Sequence, residues 1–451
     1  FKYLILHEWD AVRMGTLKLV TPPWMQSRLL FASVSYTLAT AFFTFLFPKC
    51  FFNFALTDPQ LSHSPSYGEH KYAIPTLRST CSSPISFPDY TLAAKEVEEF
   101  CSNWSRISQS PKYIEKNSQS ESFGGNYNTQ ERLRHFRNPA YPNEIPCGFL
   151  KPFPVNAPDQ ISMKQSQRVV VVSAIFNNHD KIRQPKSIGP KTLDICSFFL
   201  FVDEITFQEL THFNLISPKT LKAGVWRIIK VSTETLYQFP AMNGVIPKYL
   251  LHRLFPNAKY SIWVDAKLQI RVDPLLLVHS LLISKKVDLA ISKHPFFVHT
   301  MEEAYATARW RKWWDVEGMR KQMEVYCENG LKPWSKLKLP YESDVPDSAL
   351  ILRRHGGASD VFNCLMFNEM EAFNHRDQLA FAFVRDKMRK KIMVEMFMFE
   401  VEVFEQVALE FRHILKKSRD FVESRVNRVK DFGFNKTSKC EFYLLEMWRE
   451  S

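Results

Sequence analysis

The chain has 451 residues, 45% hydrophobic and 24% charged, with a formal net charge of +12. Such a length and apolar content exclude a disordered chain and allow one large core with additional segments. The basic residues are dispersed, without an aromatic–basic repeat, which argues against a nucleic-acid-binding module; a solvated basic surface suits diphosphates, anionic glycans or a membrane surface.

Read from the amino terminus, residues 1–28 form an expected cytosolic tail and residues 29–47 an expected transmembrane signal-anchor. The nineteen residues Leu29–Phe47 carry no charge, long enough to cross a bilayer. Their Ser and Thr residues leave a buried helix or a cleaved signal peptide as alternatives. Lys2, Arg13, Lys18 and Arg28 outnumber Glu8 and Asp10 ahead of the run, which keeps that side cytosolic and the remainder luminal. The sequence opens on Phe1 and not on Met, so an upstream start is expected. Residues 48–164 turn to Pro, Ser, Asn and charge and read as a loosely folded stem.

Cys81, Cys101, Cys147, Cys196, Cys327 and Cys364 could make three bridges in an oxidising lumen, with free buried thiols as the alternative. None forms a CxxC or other metal-spaced cluster. The triplets Asn103-Trp104-Ser105 and Asn435-Lys436-Thr437 are glycosylation acceptors of a kind that also arises by chance.

A folded domain is expected over residues 165–415. The β-branched run Arg168–Phe176 predicts a first strand and Ser197–Val202 a second, each ending in polar or acidic residues, the pattern of a parallel sheet with the site along one edge. Arg183 and Lys186 follow the first strand, where they could touch phosphates or simply face solvent. Trp226–Val231 predicts another strand. Pro247–Phe255 has apolar residues at helical spacing and places Lys248 and His252 one turn apart. Tyr260–Val264 then alternates aromatic and β-branched residues and stops at Asp265, so a buried strand presents an acid at its carboxyl end, where open α/β sheets bind ligands. The plainer alternative is an acid capping the turn. Strands are further expected at Lys286–Ser292 and Ser348–Arg353, and helices at Met301–Tyr326, Phe362–Ala372 and Asp377–Asp386. Asp377 opens its helix, as an acid that orients a hydroxyl, a base, or an ordinary cap. Past Met388 the spacing is helical through Val401–Phe411, and residues 416–451 read as a tail without a partner. GxSxG, Walker, HExxH and GxGxxG motifs are absent.

Several blocks resemble a plant family of Golgi glycosyltransferase-like proteins that includes the seed-mucilage hexosyltransferases and a turgor-regulation protein described as an alkaline ceramidase. They are Val171–Phe176, Ile182–Pro185, Phe201–Glu204, Lys248–Pro256, Tyr260–Leu268, Val272–Pro274, Leu339-Pro340, Ser343–Pro346 and Arg376–Gln378. The match runs from about Val169 to His413. It implies an α/β fold of the glycosyltransferase A-like (Rossmann-like) kind, a mixed sheet flanked by helices behind one anchor. It also implies a type II Golgi membrane protein moving a hexose from a nucleotide sugar, a UDP-hexose, to a cell-wall glycan acceptor. Asp265-Ala266-Lys267 occupies the position of the Asp-x-Asp motif with Lys in place of the second acid. On this reading Asp265 binds a divalent metal (manganese or magnesium) or the ribose, with metal dependence open; Lys267 sits near phosphate or simply faces solvent, and Asp377 serves catalysis. Arg183, Lys186, Lys248 and His252 are the further candidates to face the donor, with a surface-turn role as the alternative for Arg183 and Lys186 and a core-packed or partner-paired histidine as the more common outcome for His252. Two positions depart from the family pattern: Asn177-Asn178-His179 stands for Gly-Asn-Tyr, and Ala266 for Gly.

Ceramide hydrolysis competes only through the description of one branch. A metal amidase needs a set of His and carboxylate ligands, and His294 and His299 alone would not suffice. A non-catalytic scaffold of a glycan-synthesis complex is the third reading.

Overall fold

The computed structural model describes residues 85–103, 111–115, 122–137, 144–217, 219–310, 315–390, 392–400, 406–411 and 432–450. The expected anchor at Leu29–Phe47 lies outside them. Among the described residues no helix is long and apolar enough to cross a membrane.

Ten strands are described: β1 (Val169–Ile175), β2 (Cys196–Val202), β3 (Lys222–Ala223), β4 (Trp226–Lys230), β5 (Tyr260–Val264), β6 (Leu268–Ile270), β7 (Leu289–Lys293), β8 (Pro346–Arg354), β9 (Met396–Phe399) and β10 (Ala408–Glu410). Eight form one sheet in the order β3-β4-β2-β1-β5-β8-β7-β9, while β6 and β10 form a separate antiparallel ribbon. β4, β2, β1 and β5 run parallel, β8 runs against β5 and β7, and β9 is parallel to β7. The expected parallel sheet is therefore a mixed α/β one, and the carboxyl ends of β1, β2, β4 and β5 share one rim.

The uninterrupted apolar runs of β1 and β2 follow from burial on both faces. Val170, Val172, Phe199 and Phe201 enter one core with helices Pro240–Tyr249, Gly357–Ala372 and Asp377–Arg389. Val169, Val171, Phe198 and Leu200 enter the other, with helices Tyr90–Ser102 and Pro274–Val278.

Several expectations give way. The helix expected from Pro247 begins at Pro240, and a break at Leu250 separates it from Leu251–Leu254. The charged segment after Met301 forms two helices, Thr300–Trp310 and Val316–Glu328. Past Met388, Met396–Phe399 and Ala408–Glu410 are strands, because pairing with β7 and β6 overrides their helical spacing. The described parts of the expected stem also join the domain. Helix Tyr90–Ser102 buries Ala93, Ala94 and Val97 and packs on Pro274–Val278, and Cys147 is bridged to Cys364.

The tail ends in a helix, Lys439–Glu450, that packs on Val316–Glu328 and is bridged to it by Cys327–Cys440. Cys440 was outside the six cysteines expected to pair, whereas Cys101 and Cys196 are buried free thiols. Both acceptor asparagines, Asn103 and Asn435, are exposed.

The Cys327–Cys440 bridge closes a loop with a sequence separation of 113. Its loss should cost about 2–4 kcal/mol, mostly by freeing the unfolded chain. Cys440→Ser is expected to lower the urea midpoint accordingly and to open the last helix to protease; an unchanged midpoint would show that packing alone holds that helix.

Candidate functional site

Asp265 follows the last residue of β5 on the shared rim. Its backbone N–H continues the ladder to the Ala349 carbonyl (2.8 Å), and its carbonyl accepts from Leu268 N–H (2.8 Å), which fixes the turn before β6. Its Oδ1 accepts the Trp263 indole N–H at 2.6 Å. The Ala266 backbone is not in the left-handed region, so no strain attends the replacement of Gly there. Asn177 and Asn178 do have positive φ, 56° and 49°, a conformation Asn tolerates better than most side chains.

Lys248, in the last turn of helix Pro240–Tyr249, reaches Asp377 Oδ2 at 2.8 Å, Asp265 Oδ1 at 3.6 Å and Ser348 Oγ at 3.1 Å. Asp377 lies in the first turn of its helix, and each charge is at the helix end whose dipole favours it. Tyr249 donates its hydroxyl to Asp377 Oδ2 at 2.9 Å. Burial alone would raise the Asp377 carboxyl, but the charge and hydrogen bond of Lys248, with a hydrogen bond from Ser348, bring it down to about 2. Burial likewise pulls Lys248 down, and Asp265 and Asp377 outweigh it to give a net rise. A carboxylate held that low has little proton affinity at neutral pH, so Asp377 suits holding Lys248 and not proton abstraction.

Lys267 stands in a second group of charges. Its ammonium lies 2.8 Å from Glu410 Oε1 of β10. Burial opposes its charge, and Asp347, Glu410 and Asp265 together reverse that and raise it. The neighbouring Phe411 donates its N–H to the Lys267 carbonyl (2.8 Å), and its ring lies 3.7 Å from the Arg183 guanidinium carbon.

The structure thus brings Lys248, Asp265 and Asp377 into one hub with Lys267 beside it. Arg183 and Lys186 lie instead along the β6–β10 ribbon: Arg183 is buried against Phe411, and Lys186 is exposed with its N–H bonded to the Ile270 carbonyl. His252 lies outside the hub, buried with Nε2 3.4 Å from both Cys147 and Cys364 sulfurs. The break at Leu250 ends the helical register that was to align it with Lys248. Sequence reasoning missed Tyr249, Ser348, Asp347 and Glu410. The first three sit within or next to matched blocks, whereas Glu410 lies in text that reads as helix.

A pocket of about 250 Å³ opens at the same rim, lined by Asp203, Glu234, Tyr237, Pro240 and Asn243 among others. Pro240 and Asn243 belong to the helix that ends with Lys248. Asp203 is engaged already, accepting from Asn177 N–H (2.6 Å) and capping Thr206 N–H (2.9 Å).

The expected divalent metal does not fit the charges at Asp265. The second acid position holds Lys267, whose ammonium interacts with Asp265, Asp347 and Glu410, and one Asp265 oxygen is bonded to the Trp263 indole. Among the described residues the one group of three close potential ligands is Cys147, His252 and Cys364, two of which are joined as a disulfide.

Residues 105–413 match the family model described as "TOD1/MUCI70, glycosyltransferase-like domain", and the chain belongs to that family. It is 52% identical over 464 aligned residues to the Arabidopsis thaliana protein named "Alkaline ceramidase TOD1", covering 96% of this chain and 99% of that one. It is 36% identical over 287 residues to "Probable hexosyltransferase MUCI70" of the same plant, covering 61% of this chain and 49% of that one. Among solved structures, mouse xyloside xylosyltransferase 1 is similar at a TM-score of 0.29 and 10% identity, over 51% of this chain and 84% of that chain. The bifunctional glycosyltransferase WbbM is similar at 0.29 and 11%, over 57% and 41%. Neither structural likeness is strong enough to bear on the chemistry.

The Asp377 carboxyl lies below its unfolded value of about 3.9, so its contribution is present above pH 4 and is lost as pH falls toward 2. That contribution is about 2–3 kcal/mol. Asp377→Asn leaves Lys248 under-compensated and should cost about 3 kcal/mol at neutral pH. It should also flatten the acid side of a stability–pH curve measured by urea unfolding; a variant with the native acid limb would place that dependence on another group.

Proposed function

We propose that this family member transfers a hexose from a nucleotide sugar, a UDP-hexose, to a cell-wall glycan acceptor. In this reading it is a single-pass type II protein of the Golgi membrane, its catalytic domain is luminal, and the fold is of the glycosyltransferase A kind. The observation that supports it most is the convergence of Lys248, Asp265 and Lys267 at the carboxyl ends of parallel strands, in a family whose domain is described as glycosyltransferase-like.

The pocket at Tyr237 and Asn243 would seat the nucleobase, with the ribose and diphosphate lying along the helix toward Asp265 and Lys248. Asp265 would bind the ribose hydroxyls. As the bond between the anomeric carbon and phosphate breaks, charge grows on the leaving diphosphate, and the ammonium groups of Lys267 and Lys248 would answer it. Asp377 would keep Lys248 charged and aimed. No step is assigned to a metal, since the residues around Asp265 do not suit one.

Ceramide hydrolysis stands as a second reading because the relative at 52% identity carries the name alkaline ceramidase. Against it, the close three-ligand group is a disulfide and a buried neutral histidine, not an open metal site.

Incubation of the full-length protein with a panel of UDP-hexoses should release UDP at similar rates with manganese and with chelator, and Asp265→Asn should slow release at least tenfold. Release of sphingosine from ceramide with no UDP release from any donor would reverse the order of the two readings.

A further inference from the structure

Lys267 is the cation this site would offer to a donor phosphate, and a carboxylate already holds it. Glu410 Oε1 lies 2.8 Å from its ammonium, the separation of a charge-assisted hydrogen bond. The contact crosses 143 positions of sequence, from the turn after β5 to β10. It is also placed by backbone: Glu410 pairs with Leu268, and Phe411 N–H bonds the Lys267 carbonyl. The adjacent Phe411 ring covers Arg183. Glu410, the last residue of β10, and Phe411 directly after it therefore engage two of the cations expected to meet phosphate. The two side chains are not sealed in, with Lys267 18% and Glu410 24% exposed, so rotation of the Glu410 side chain suffices to vacate the position.

We propose that the Glu410 carboxylate occupies a phosphate position on Lys267, and that a nucleoside diphosphate binds by displacing it. The inference rests on the transferase reading. Glu410 is then a residue that sets donor affinity by competition: an oxygen of a diphosphate replaces a carboxylate oxygen on the same ammonium, and no covalent bond changes. Binding gains only the difference between the two anions. A multiply charged diphosphate wins that exchange, whereas a nucleoside without phosphate gains nothing from it. The contact would thereby select for charged donors and leave Lys267 neutralised between turnovers.

The test is calorimetric titration of the full-length protein with UDP and, separately, with uridine. It is made on the native chain, Glu410→Gln, Lys267→Gln and the double variant, each checked for native circular dichroism. Glu410→Gln should tighten UDP about three- to tenfold and leave uridine unchanged. Lys267→Gln should weaken UDP about tenfold, and adding Glu410→Gln to it should restore nothing. UDP binding by the native chain that is unchanged or weakened in Glu410→Gln overturns the competition and leaves the transferase reading standing. An equal gain for uridine, or a gain that persists without Lys267, likewise overturns it. Absence of UDP binding from the native chain and every variant overturns the transferase reading together with this one.

Discussion

A single ammonium, that of Lys248, holds the rim together. It joins helix Pro240–Tyr249 to Asp265 at the end of β5, to Ser348 near the start of β8, and to Asp377 at the start of a second helix. Asp265 is half-buried, whereas Asp377 and Ser348 are buried. Asp377 is 5% exposed, and without its cation burial would push it toward the neutral acid. The position of Asp265 relative to helix Asp377–Arg389 is thus fixed by charge as well as by packing. The same arrangement limits what Asp377 can do chemically, because a carboxylate hydrogen-bonded to a lysine is a poor base.

How much of this could be read from the residues varied with the range of the interactions involved. Tyr260–Val264 was legible to the residue, and β1, β2 and β4 nearly so, because strands buried on both faces must be continuous apolar runs. Asp265 followed from that strand, and Asp377 from its helix start. The hub itself was not legible, since Lys248 was grouped with His252 by helical spacing while the chain turns at Leu250 and sends the histidine toward sulfur. Glu410 was hidden for a different reason. Its segment has helical periodicity, and only pairing with Leu268, far away in sequence, makes it a strand.

Family blocks that look alike in sequence divide into different physical jobs. Ser343–Pro346 is held in the interior, where Arg385 binds the Ser343 carbonyl at 2.7 Å and the Asp344 carboxylate, and Lys338 binds Asp344 at 2.6 Å. Gln184 of the Ile182–Pro185 block brackets the β3–β4 turn, donating to the Ala223 carbonyl and accepting from Val225 N–H. Gly224 between them has φ of 59°, and a Cβ there would stand 2.3 Å from the Gln184 side chain. These groups shape the domain, whereas Lys248 and Asp265 are directed to the rim.

The two disulfides among the described residues interleave along the chain: Cys327 lies inside the loop closed by Cys147 and Cys364, and its own partner Cys440 lies beyond it. A growing chain that has just exposed Cys364 also carries Cys327, much nearer in sequence, and random closure would favour that wrong pair by about 1–2 kcal/mol. In the folded domain that bias is offset by the packing that places Cys147 beside helix Gly357–Ala372. Forming either native bridge from the reduced chain takes an oxidant, and undoing a mispaired Cys327–Cys364 takes a free thiolate to attack it.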